Sequence, residues 1–71
     1  MALAENLRHL RELKGLTLEE IAESVDVTKQ AMNKYEQGKM IPNGIVLVDI
    51  AEKLGVTVEK LVRGKTNDFE N

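Results

Sequence analysis

The sequence predicts an all-α domain built from five short helices. Three observations carry that expectation. Apolar residues recur at helical spacing, a glycine follows four of those stretches, and Thr or Asn stands where the next helix should begin. No segment alternates apolar and polar residues for long enough to make a strand.

The first helix is expected over about residues 3–14, with Leu3, Leu7, Leu10 and Leu13 on one face and Gly15 ending it in a left-handed cap. In Leu16-Thr17-Leu18-Glu19-Glu20-Ile21, Thr17 and Glu20 make a capping box, and Leu16 with Ile21 makes the hydrophobic staple around it. A second helix therefore begins at Leu18 and runs to about Val25. Val27-Thr28 ahead of Met32, and Val56-Thr57 ahead of Leu61, repeat the device, so helices three and five start after Thr28 and Thr57. Helix three should end at Gly38 and helix five near Gly64. Between them Asn43 caps a fourth helix with Leu47, Ile50, Ala51 and Leu54 facing inward. The domain is expected over residues 1–64, followed by a polar tail or the start of a linker over 65–71.

Composition narrows the function. With 71 residues there is room for one small domain, and 42% hydrophobic with 31% charged residues is the balance of a globular chain. No apolar run approaches the roughly 20 residues of a membrane span. The absence of cysteine excludes a disulfide framework and any thiolate metal site, and a single histidine, His9, argues against zinc binding or histidine-based catalysis. An enzyme, a cofactor, a membrane contact and a small-molecule ligand are accordingly not expected, and the chain is expected in the cytoplasm. His9 sits one position off the inward face of helix one and reads as a surface residue. Glu19, Glu20 and Glu23 are explained by complementarity with a helix N-terminus better than by a cation site. One Tyr, one Phe and no Trp leave the core to aliphatic side chains.

Only Asp26-Val27-Thr28 separates helices two and three. A turn that short makes two helices cross steeply, the geometry of a helix-turn-helix. Ala22 is small where the helices meet, and Ile21, Val25, Val27, Met32 and Tyr35 supply apolar contacts. Asp26 is tolerable where a left-handed residue, usually Gly, is needed. Any tight helical hairpin satisfies this pattern, so the spacing alone leaves DNA binding and a purely structural hairpin both open.

A wider set of residues carries a resemblance. Leu16-Thr17-Leu18-Glu19-Glu20-Ile21-Ala22, then Val27-Thr28-Lys29-Gln30-Ala31-Met32, then Tyr35-Glu36-Gln37-Gly38-Lys39, then Pro42, then Leu54-Gly55-Val56-Thr57-Val58-Glu59-Lys60-Leu61 resemble the phage repressor and Cro-like helix-turn-helix family. The resemblance covers about Leu7 to Val62, in order and at the family's spacing. It implies a five-helix bundle of the lambda-repressor-like type that binds double-stranded DNA as a two-fold dimer. It places the recognition helix over residues 28–37, begun by Thr28, with Lys29, Gln30, Asn33 and Lys34 facing the groove. Those side chains have the chemistry to read bases, since Lys donates to guanine O6 or N7, and Gln and Asn bond bidentately to adenine.

The resemblance further implies a phosphate-gripping loop at Gln37, Gly38 and Lys39, where a flexible Lys and exposed backbone N–H groups supply the chemistry. It implies an ion pair of Arg11 and Glu36 tying helix one to helix three, and a weak dimer contact through Ile45, Val46 and Val58. The chain departs from the family where Leu18 replaces a common Gln that touches phosphate, where Asp26 replaces Gly, and at Gly44-Ile45, whose order is reversed and exposes Ile45.

The charge distribution fits better than the total. Net charge is −2, but residues 28–40 carry three lysines against one glutamate, the only net-positive stretch. The function expected is sequence-specific DNA binding by a prokaryotic transcriptional regulator, a repressor in the simplest case. The alternative is a protein-interaction module on the same scaffold, of antitoxin or co-activator-bridging type, which would use Ile45 and Val58.

Overall fold

The chain folds into α1 (Ala2–Leu13), α2 (Leu18–Ser24), α3 (Lys29–Gln37), α4 (Gly44–Leu54) and α5 (Val58–Arg63). The computed structural model describes residues 2–64, so the tail expected over 65–71 lies outside the described residues.

Three of the four connections share one construction. After α1, α2 and α4 a residue of positive φ (Gly15 at 71°, Asp26 at 60°, Gly55 at 72°) is followed by an apolar residue and then Thr. The backbone N–H groups of Leu16, Val27 and Val56 donate back to the carbonyls of Arg11, Ala22 and Ala51 at 3.1, 3.0 and 2.9 Å, the six-residue return of a Schellman cap. The next residue in each case is the N-cap of the following helix. Thr17, Thr28 and Thr57 accept through Oγ1 from the amides of Glu20, Ala31 and Lys60, each at 3.0 Å. Leu16, Val27 and Val56 pack against the core, so one apolar side chain closes one helix and opens the next. Little conformational freedom remains in such a joint. At Thr17 the reciprocal bond is also present, from the Thr17 amide to Glu20 Oε1 at 2.8 Å. Asn43 opens α4 in the same way, accepting from Val46 N–H at 2.9 Å.

Every helix sends at least one fully buried side chain to the centre: Leu7 from α1, Ile21 from α2, Met32 from α3, Ile50 and Leu54 from α4, Leu61 from α5. Among the described residues the core itself contains no charged residue, and Tyr35 is its aromatic member. Asn6 fastens α1 to α5 by donating from Nδ2 to the Leu61 carbonyl at 3.0 Å.

Leu13 corrects the sequence expectation. It is 68% exposed rather than on the inner face. At about 100° per residue it stands roughly 90° away from the line of Leu3, Leu7 and Leu10, and α1 ends there. A second feature has no counterpart in the sequence pattern: an open apolar groove of about 270 Å³ lined by Leu3, Tyr35, Met40, Ile41, Leu47 and Val62. Its walls come from separate segments of the chain, so nothing local announces it.

Candidate nucleic-acid interface

The sequence of α3 divides cleanly around its axis. Lys29, Gln30, Asn33, Lys34 and Gln37 are all exposed, whereas Met32 and Tyr35 are buried and Ala31 and Glu36 are half-buried. At about 100° per residue the five exposed side chains span roughly 140° of arc, and the inward four occupy the rest. Thr28, at the start of this face, is exposed and commits its Oγ1 lone pair to the Ala31 amide, which leaves its O–H free to donate outward. The sequence-expected residues are therefore brought together on one surface, with Lys39 exposed in the loop just beyond.

The orientation of α3 is held from both ends. At its start, the joint through Asp26 (φ 60°) and Val27, whose amide donates to the Ala22 carbonyl, ties it to α2. Toward its end, Arg11 on α1 donates from Nε to Glu36 Oε2 at 2.6 Å and from Nη2 to Oε1 at 3.1 Å. Arg11 Nη1 also reaches the Leu16 carbonyl at 2.8 Å, so one guanidinium joins α1, the α1–α2 connection and α3. The two side chains keep only 14% and 5% of their exposure. The Arg11 guanidinium is held above the ordinary arginine range, chiefly by its hydrogen bond to Glu36, with burial acting against it. The pair expected between these residues is present and links α1 to α3.

The loop after α3 differs from the expectation in one respect. The amides of Gly38 and Lys39 donate to the carbonyls of Tyr35 and Lys34, at 3.2 and 2.9 Å. These backbone donors close the helix and are not available to a phosphate. Of the three residues expected to grip phosphate, the donors left over are the Lys39 ammonium and the Gln37 side-chain amide, both on exposed residues. The motif by itself is a loop rich in N–H groups, but the left-handed Gly38 (φ 75°) turns those groups back on the helix.

Leu18, which stands where the family commonly has Gln, is half-buried against the core. It lies in a surface recess shared with Asn33 and Gln37 of α3, with the Arg11–Glu36 pair, and with Arg8 and Glu12 of α1. Sequence reasoning does not single out Arg8. Its one available signal is position: three residues before Arg11, on the same flank of α1.

Of the three residues expected at a dimer contact, Ile45 is 75% exposed, while Val46 and Val58 are half-buried against their own core. Val48, one turn after Ile45, is 46% exposed. The apolar surface at the start of α4 is thus made by Ile45 and Val48, a spacing that periodicity alone does not separate from the inner face. Among the described residues no group of three or more His, Asp or Glu side chains is placed to hold a metal, and no helix is long and apolar enough to cross a membrane.

Known proteins match this arrangement. The family described as Helix-turn-helix matches residues 7–61, from α1 into α5. The chain is 38% identical over 65 residues to the transcriptional activator BcrR of Enterococcus faecalis, covering 92% of this chain and 32% of that protein. It is 32% identical over 65 residues to the transcriptional regulator YqaE of Bacillus subtilis, again 92% of this chain and 56% of the relative. The chain therefore spans about a third to just over half the length of these curated relatives. Among solved structures, the clp gene regulator ClgR of Corynebacterium glutamicum superposes with a TM-score of 0.82 at 31% identity, over 86% of this chain and 65% of the other. The DNA-binding domain of the P22 C2 repressor superposes with a TM-score of 0.85 over 90% of this chain and 84% of that domain; at 22% identity it bears on the fold alone. From the joint that ties α3 to α2 to the length of the family match, the sequence, the fold and the relatives agree: the chain belongs to the Cro/C1-type helix-turn-helix family of DNA-binding transcriptional regulators and has the lambda-repressor-like fold.

Proposed function

We propose that this domain binds double-stranded DNA sequence-specifically, with α3 in the major groove, and that it serves a transcriptional repressor acting in the cytoplasm. The observation that carries the reading is the division of α3. Five exposed donor-rich or amide side chains lie on one face, while the opposite face is anchored by Met32, Tyr35 and the Arg11–Glu36 pair. A rigid helix about 10–12 Å across fits a major groove about 12 Å wide. Lys29, Gln30, Asn33 and Lys34 are assigned to base edges, and Thr28, Gln37 and Lys39 to phosphates. The net-positive stretch 28–40 within an acidic chain supports the same face. No catalytic, metal or cofactor role is assigned to any residue.

Binding is proposed to be two-fold. Ile45 supplies the exposed part of the contact and Val46 and Val58 its half-buried floor, so the free chain associates weakly and pairs on DNA. Half-sites then lie about 34–36 Å apart, one helical turn. Repression is the simplest outcome, because a bound domain excludes other proteins from its site without a further contact. Activation is the second reading, favoured by the identity to a relative named as an activator.

Selection from a random duplex pool, followed by native gels of the enriched sequence, tests the proposal. An inverted repeat bound by two chains is expected. An unenriched pool, or saturation by a lone chain on an unsymmetrical site, overturns it. A promoter carrying the enriched site then gives the direction: reporter output falls for a repressor and rises for an activator.

A further inference from the structure

We propose that Arg8, on α1, is a phosphate-binding residue of the DNA interface, and that Glu12 competes with the phosphate for it. The inference rests on the reading of α3 as the DNA-facing helix and extends the interface to a second helix. Arg8 shares one recess with Asn33 and Gln37, the residues in the later half of the α3 face. The other guanidinium there, Arg11, already uses each of its three nitrogens, two on Glu36 and one on the Leu16 carbonyl. Arg8 is not. It makes a single Nε bond to Glu12 Oε2 at 3.3 Å, and the two side chains remain 65% and 55% exposed. An exposed pair of this kind is held weakly and exchanges partners readily. A phosphate oxygen offers the same guanidinium a bidentate partner.

The third observation is Leu18. It lies in the same recess and presents no hydrogen-bonding group, so the recess has no polar side chain on the α2 side to meet a DNA strand beside α3. Arg8, from the α1 side, supplies that anchor. Glu12 then sets how strongly. Its carboxylate neutralises Arg8 in the free protein and must give way when the strand arrives, so it lowers affinity without touching a base.

The test titrates a fluorescent duplex, carrying the sequence enriched from a random pool, with wild-type chain, Arg8→Gln, Glu12→Gln and the double variant at several salt concentrations. Loss of one phosphate contact should lower the salt slope by about 0.9 per bound chain and the affinity by about eightfold at 0.1 M salt. Arg8→Gln is expected to do this equally on enriched and scrambled duplexes. Glu12→Gln is expected to tighten binding about two- to fivefold, and that gain should shrink when Arg8 is already replaced. Thermal melts of all four proteins should lie close together, because both side chains are exposed. Wild-type binding with an unchanged Arg8→Gln slope overturns the phosphate contact while leaving the role of α3 intact. An equal Glu12→Gln gain with and without Arg8 overturns the competition. A wild-type chain that binds no duplex overturns this inference together with the DNA-binding reading beneath it.

Discussion

Replacing Arg11 with Met isolates what holds the end of α3. The side chain keeps a similar length but loses three donors: two to Glu36, at 2.6 and 3.1 Å, and one to the Leu16 carbonyl, at 2.8 Å. Glu36, whose side chain is only 5% exposed, is left as a carboxylate without its partner. Breaking a buried pair from one side costs about 3–5 kcal/mol, and the residual 14% exposure of Arg11 places this case near 3 kcal/mol. A domain of this size has about 4–10 kcal/mol in total, so the variant should remain folded but melt roughly 12–24 °C lower. Arg11→Met/Glu36→Met removes both charges, and only the Leu16 carbonyl then lacks a partner, at about 1 kcal/mol. The double variant should therefore recover most of the loss, and circular-dichroism melts of the singles and the double measure it. A single variant that melts within about 3 °C of wild type would refute the reasoning, and so would a double variant as unstable as the sum of its parts.

Three further outcomes follow from the same geometry. Asp26→Gly should stabilise by about 0.5 kcal/mol and Asp26→Ala destabilise by about 1 kcal/mol, because φ is 60° at this joint; urea midpoints in the reverse order would contradict the cap. Met32→Asp places a charge at a site with no solvent exposure and should leave the chain unfolded at about 25 °C, which near-absent helical circular dichroism would register and a cooperative melt would deny. Ile45→Asp should leave the melting temperature within about 2 °C of wild type, since the side chain is exposed, yet abolish paired binding on the enriched site; unchanged cooperativity would remove Ile45 from the contact.

Helix placement is legible in the sequence because the signals are local. A capping box at Thr17 and Glu20, Thr at 28 and 57 and Asn at 43 act within three residues of themselves, and all four caps form as read. The outward face of α3 is legible for the same reason, since burial of Met32 and Tyr35 decides which side remains. What is not legible depends on other segments. The residues lining the recess beside α3 come from three helices, so Arg8 carries no mark beyond its distance from Arg11. Val46 and Val58 look free in a linear pattern, but each packs on the core, and the amides of Gly38 and Lys39 look exposed until the cap that uses them is seen. Leu13 continues the leucine spacing of α1 by count, but a straight helix carries it off the seam.

Whether α3 reads bases while the loop beyond it grips the backbone is decided by titration of Gln30→Ala and Lys39→Ala on the enriched and scrambled duplexes, at two salt concentrations. Gln30→Ala should lose about 1–3 kcal/mol per half-site on the enriched duplex and almost nothing on the scrambled one. Lys39→Ala should weaken both alike and lower the salt slope by about one per half-site. Equal losses on both duplexes for Gln30→Ala, or no loss on either, would contradict the placement of α3 in the major groove.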